Sequence, residues 1–144
     1  MTNNQPFIIE RTFDAPASKI WKAITDKDEM KKWYFDLKEF KPEVGFEFRF
    51  PGGPDENRQY LHICKITEVI PNKKLSYSWR YEGYKGETLV TFELSEENGK
   101  TNVRLTHAGL ESFGENNNPD LDRKNFEAGW TDIIGRSLAD YLSK

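Results

Sequence analysis

The sequence predicts an α+β domain built on one antiparallel sheet. Three features carry that reading. Apolar and polar residues alternate in short segments between residues 46 and 107, Asn98-Gly99 separates two of those segments, and a long helical pattern follows Asn118. Clean alternation gives each strand one buried and one wet face, which is the antiparallel signature.

The elements follow in order. Residues 7–13 read as a strand that Asp14-Ala15-Pro16 stops. Proline suits a first helical position, where its missing N–H would be unpaired anyway. Ala17, Ile20, Trp21 and Ile24 then form one apolar stripe at i, i+3, i+4 and i+7. Asp26 to Trp33 reads as a second short helix with Met30 and Trp33 turned inward. The period next changes to two. Phe46, Phe48 and Phe50 alternate with Glu47 and Arg49, and Pro51-Gly52-Gly53-Pro54 is expected to break that strand. Tyr60 to Ile70 is a long strand. Leu75, Tyr77, Trp79 and Tyr81 make the next, and Gly83-Tyr84-Lys85-Gly86 is a turn. Val90, Phe92 and Leu94 pair across Asn98-Gly99 with Val103, Leu105 and His107, because both turn residues tolerate the positive φ of a type I′ turn. The order is thus one strand, two short helices, about six strands and one long helix.

Ser112 to Asn118 reads as a polar loop. Asn118-Pro119-Asp120 supplies a cap, a proline at the first position and an acid in the first turn. The helix from there to Leu142 would be about 24 residues, or roughly 36 Å. Phe126, Trp130, Ile133, Ser137, Leu138 and Tyr141 fall near one face, with Ile134 beside them. Gly129 and Gly135 sit inside it; close packing is the simpler explanation, and space for a ligand the sharper one.

Composition bounds the function. A length of 144 residues suits one domain, residues 1–144, with a core over about 7–143. No apolar run approaches the roughly 18 residues of a membrane span. A net charge of -3 argues against a nucleic-acid partner. One cysteine excludes an intrachain disulfide, and Met1 to Pro6 shows neither a basic nor an apolar leader region, so a reducing cytoplasm is the expected location. The aromatic share is the unusual quantity: Phe 10, Tyr 6 and Trp 4 put many rigid rings into one core.

A wide twisted sheet has more concave area than a helix about 10 Å thick can cover. A partial hydrophobic cavity is therefore expected, lined by Trp33, Phe48, Phe50, Tyr77, Trp79, Phe92, Phe126 and Trp130, with Ile133 and Ile134 on the closing helix. His62 and Cys64 share a strand face with Tyr60 and Ile66, opposite the wetter Lys65 and Thr67. They could form a thiolate–imidazole pair or, with His107, part of a metal site. The simpler reading is a buried thiol beside polar cavity walls. No Cys-x-x-Cys or His-Glu-x-x-His spacing occurs, so neither metal nor cofactor is expected. Glu68 follows the same alternation and is either a buried acid–base or, as is slightly favoured, a strand-end carboxylate in water. Tyr60, Tyr77 and Tyr81 offer phenols to orient a polar ligand end, and His107 reads as a satisfied strand-end histidine. No Gly-x-Gly-x-x-Gly or Gly-x-Ser-x-Gly supports a nucleotide enzyme or serine hydrolase.

Phe13-Asp14-Ala15-Pro16, Ile20-Trp21, Ala23-Ile24-Thr25 and Trp33 resemble the opening of the START-like (SRPBCC, helix-grip) superfamily. More closely they resemble the domain family named after the activator of the heat-shock-protein-90 ATPase. Glu68-Val69-Ile70-Pro71 with Leu75-Ser76-Tyr77-Ser78-Trp79 is similar to its central hairpin, Leu105-Thr106-His107-Ala108-Gly109 to its last strand, and Gly129-Trp130 with Leu138 and Tyr141-Leu142 to its closing helix. The likeness spans residues 7–143. It implies a helix-grip fold, a curved antiparallel sheet wrapped around the C-terminal helix with a hydrophobic cavity between them. Superfamily members bind or transform lipids, sterols, polyketides and other aromatic compounds, and small bacterial members stand alone. The expectation is a binding protein for a small hydrophobic ligand, aromatic, polyketide-like or lipid-like. The alternatives are a cyclase/aromatase- or lyase-type enzyme using the same cavity, and a co-chaperone-like interaction module. The eukaryotic co-chaperone carries an added N-terminal domain for which this length leaves no room, so a chaperone partner is the weakest of the three.

Overall fold

The strand order explains how one helix can serve a whole sheet. In the computed structural model, which describes residues 5–33, 37, 39–55 and 57–143, six strands form one antiparallel sheet. They are β1 (Phe7–Phe13), β2 (Glu47–Asp55), β3 (Arg58–Ile70), β4 (Lys74–Tyr81), β5 (Thr88–Glu97) and β6 (Lys100–Ala108), in the order β1-β6-β5-β4-β3-β2. Consecutive strands from β2 to β6 form a meander, and β1 closes on β6 with Phe7 opposite His107. Five strands therefore follow the two short helices, and β1 makes the sixth.

The helices α1 (Ala17–Thr25) and α2 (Lys27–Trp33) carry the chain from one sheet edge toward the other. Ile20, Ala23 and Ile24 bury the α1 stripe. Asp26 accepts from the backbone N–H of Asp28 at 2.9 Å and so starts α2, which turns Met30 and Trp33 inward as expected. The β5–β6 turn is also as expected: Asn98 (φ 55) and Gly99 (φ 80) are both left-handed, and Glu97 pairs with Lys100.

Three expectations need correction. Pro51-Gly52-Gly53-Pro54 does not end β2, which runs on to Asp55 with Pro51 opposite Leu61 and Gly52 opposite Tyr60. As β2 is an edge strand, a proline can sit there without removing a ladder bond. Ser112 to Asn118 is not an open polar loop. Leu110–Asn116 is a 3-10 segment that buries Leu110 and Phe113. Asn118 does cap, accepting from Asp120 N at 3.0 Å, but the element it starts is a 3-10 turn, Pro119–Leu121. The long helix begins at Arg123, because Asp122 is still extended (φ -70, ψ 146).

That helix is not uniform. Arg123–Asp132 (α3) passes through a π turn, Ile133–Ser137, into Leu138–Leu142 (α4). A π turn is wound more widely than an α-helix, so residues four apart stay on one side. The buried stripe is accordingly Trp130, Ile134 and Leu138. Ile133 and Tyr141, expected on that face, pack at its margin. No helix among the described residues is long and apolar enough to cross a membrane.

Candidate functional site

The period-two pattern puts one kind of residue on the concave face. Phe48 and Phe50 come from β2, His62, Cys64 and Ile66 from β3, Tyr77, Trp79 and Tyr81 from β4, Phe92 from β5 and His107 from β6, and all are buried. Register then brings rings together: Phe50 lies opposite His62, His62 opposite Tyr81, and Cys64 opposite Trp79. The His62 imidazole stacks on Phe50 at 4.5 Å and meets the edges of Tyr81 at 4.7 Å and Trp79 at 5.1 Å. From above, Trp130 closes on Trp79 (5.7 Å), His107 (6.0 Å) and Phe92 (6.2 Å), and Phe126 packs edge-on to His107 at 5.3 Å. Beneath the helix these rings pack against one another.

A chain of hydrogen bonds runs through that layer. Trp130 Nε1–H donates to His107 Nδ1 at 2.9 Å. His107 Nε2 is then the protonated nitrogen and donates to Thr88 Oγ1 at 2.7 Å, while the Thr88 hydroxyl donates to the Trp79 carbonyl at 2.8 Å. Every polar atom in the chain has a partner, and the tautomer is fixed by the indole. Burial pushes the His107 pKa down to about 3, so the ring is neutral. His107 is the satisfied histidine expected, but it spans sheet and helix rather than capping a strand end.

His62 is the second neutral imidazole. Its Nδ1 lies 3.0 Å from the Tyr60 carbonyl, and burial lowers its pKa to about 4 against the opposing pull of backbone hydrogen bonds to Tyr60 and Phe50. Room for it comes from Gly52, where a Cβ would stand 3.2 Å from His62 Cε1. Trp79 Nε1–H donates to Tyr81 Oη at 3.0 Å. Tyr60 lies at the rim, donating to Asp120 Oδ2 at 2.7 Å and accepting from Asn118 Nδ2 at 3.0 Å, which ties β3 to the turn before α3.

The remaining candidates separate. Cys64 is fully buried, and burial first, then the Glu47 carboxylate, pushes its thiol well above the usual range, so it is no ready nucleophile. A shared site for His62, Cys64 and His107 is ruled out by topology: β4 and β5 lie between their strands, and both His107 nitrogens are engaged. A register shift between Ile66 and Glu68 turns Glu68 to the surface, where its side chain is 45% exposed and pairs with Lys74 at 3.0 Å. Trp33 is buried where three helices meet, its Nε1–H donating to the Ala23 carbonyl and its own carbonyl accepting from Ser137 Oγ. Phe113 was not marked by the sequence reading. It is 1% exposed, parallel to Phe126 at 5.5 Å and 5.4 Å from Tyr81. The spacing of three between Leu110 and Phe113, one 3-10 turn, was the available signal.

A curved antiparallel sheet gripping a C-terminal helix is the START-like, SRPBCC architecture. Within it, the chain belongs to the family of Activator of Hsp90 ATPase homolog 1-like proteins, whose model matches residues 14–143. Similar solved structures include protein MLL2253 from Mesorhizobium loti, 26% identical with a TM-score of 0.78, covering 96% of this chain and 97% of that one. DynU16, a protein of the dynemicin biosynthetic locus, is 22% identical with a TM-score of 0.78; the match covers 99% of this chain but only 48% of DynU16. PFC0360w, an HSP90 activator from Plasmodium falciparum, is 21% identical with a TM-score of 0.73, covering 96% of both chains. No curated protein matches by sequence.

Proposed function

We propose that this protein binds a small hydrophobic molecule, aromatic, polyketide-like or lipid-like, between the sheet and the C-terminal helix. The observation that carries the reading is the mixed layer under α3. Two imidazoles, a threonine hydroxyl, two phenols and two indole N–H groups are buried among Phe48, Phe50 and Phe92. Ligand sites combine an apolar lining with a few placed polar groups in this way. Affinity would come from apolar burial, and orientation from His62 and the tyrosines, with His107 holding Trp130 in place above them.

The test is native mass spectrometry of freshly purified protein, followed by an NMR screen of flat aromatic compounds against fatty acids. The reading expects an adduct of small-molecule mass, or shifts at Trp79, His107 and Trp130. If neither class perturbs those residues, it fails. The enzyme alternative is weakened by the surface position of Glu68 and the full engagement of His107. A second reading rests on the family itself, whose description names Hsp90 ATPase activation. An Hsp90 pulldown with an ATPase assay tests it, and no stimulation would end it.

A further inference from the structure

The 3-10 segment Leu110–Asn116 covers one end of the trough, and its construction is unlike the rest of the core. Four hydrogen bonds tie it to the turn between β4 and β5. Asn116 accepts from Lys85 N at 2.9 Å and donates to the Lys85 carbonyl at 2.8 Å. Ser112 Oγ accepts from Glu87 N at 3.1 Å and donates to the Glu87 carbonyl at 3.2 Å. Exposed bonds of this kind exchange with water at small net gain. The flanking residues Gly109 (φ 85) and Asn117 (φ 51) are both left-handed, so single residues at each end set the direction of the segment. Gly86, also left-handed at φ 101, leaves the space it needs: a Cβ there would stand 2.7 Å from the Ser112 carbonyl oxygen and 2.8 Å from Phe113 Cδ1.

Beneath these clips, Phe113 enters as a guest would. Its ring lies parallel to Phe126, with an interplanar angle of 18°, and flanks Tyr81. Tyr81 is buried and accepts from Trp79 Nε1, yet among the described residues nothing takes its own proton. Buried phenols usually find a partner. We infer that Phe113 occupies the place of a ligand ring. A planar aromatic molecule carrying an acceptor oxygen stacks on Phe126 and reaches the Tyr81 hydroxyl when Leu110–Asn116 swings out. Desolvation raises the Tyr81 pKa, which keeps the phenol a donor. The inference rests on the trough-binding reading and adds to it the ligand class and the door.

Fluorescence or NMR titration with 2-naphthol, naphthalene and dodecanoate tests it on the full chain. Phe113→Ala should bind 2-naphthol at least about 10-fold more tightly than wild type, since the competing ring is gone. Ser112→Ala/Asn116→Ala keeps the Phe113 ring and removes the clips, together with the bond from Asn116 Nδ2 to the Phe113 carbonyl (3.2 Å); it should tighten binding several-fold, so a folding defect in Phe113→Ala does not decide the matter. In the Phe113→Ala background, Tyr81→Phe should weaken 2-naphthol by about 3- to 10-fold and leave naphthalene unchanged. Equal affinity in wild type and both opened variants overturns the lid while leaving the trough reading standing. Dodecanoate binding to Phe113→Ala as tightly as 2-naphthol overturns the ligand class. No binding of any probe to any variant sinks both.

Discussion

Lowering the pH from 7 to 5 should destabilise this protein through its two histidines. Both are held neutral by burial, His62 at a pKa of about 4 and His107 at about 3, against 6.5 in the open chain. Because the folded values are depressed, the unfolded chain takes up protons below 6.5 that the folded protein refuses. Stability is full above that pH and falls as pH drops toward the folded values. The slope approaches about 1.4 kcal/mol per pH unit for each ring. At pH 5 each histidine has removed about 2 kcal/mol, so the pair removes about 4 kcal/mol. That is a large part of the roughly 5–15 kcal/mol available to a typical domain. The chain has only these two histidines, the side chains whose ordinary pKa lies inside this window. Urea unfolding at pH 7, 6 and 5 measures the loss. His62→Gln and His107→Gln should each halve the pH slope, whatever they do to stability at pH 7, and the double variant should flatten it. A wild-type stability that is flat between pH 7 and 5, or a slope the double variant retains, would refute the argument.

Further outcomes follow from single positions. Trp130→Phe removes the indole N–H and leaves His107 Nδ1 a buried acceptor without its donor; a loss of about 1–3 kcal/mol is expected in denaturant melts. Gly99→Ala meets open space but must adopt φ 80, so it should cost about 1 kcal/mol from backbone strain alone, whereas Gly52→Ala, with no left-handed φ, should instead disturb His62 and shift its ring NMR signals. Cys64 should resist thiol reagents across pH 7 to 9 and react at the rate of global unfolding; rapid native labelling would mean the trough opens more readily than its packing indicates.

The sheet was legible in the sequence because period two is a local property. Tyr77, Trp79 and Tyr81 reveal their common face without reference to any other strand. So do His62 and Cys64, and Asn98-Gly99 marks its turn on backbone sterics alone. What escaped depends on partners distant along the chain. His107 meets Thr88 and Trp130, which are 19 and 23 residues away, only after strand register and helix placement are set. Glu68 left its expected face because one irregularity in β3 breaks the alternation after Ile66. Pro51 read as a breaker because nothing in sequence marks β2 as the edge of the sheet. Phe113 was hidden by the polar residues around it, the same residues that clip its segment to the neighbouring turn.

These last two features bear on one another through the energetics of access. On the proposed lid, the closed state has Phe113 stacked and the clips made. A ligand must first replace that stack, and its apparent affinity falls by the fraction of molecules that are open. A closed state favoured by about 2 kcal/mol lowers it about 30-fold. The exchange is nearly even for a flat ring, because the face of Phe126 it covers is the one Phe113 vacates. It is poor for a flexible chain, which must also give up rotational freedom to lie there. Selectivity for planar guests then comes from what the guest touches and the freedom it gives up, because the cost of opening is common to all guests. Removing Phe113 should therefore raise affinity for naphthalene and for a compact, flexible hydrocarbon of the same size by about the same factor, and leave the gap between them in place.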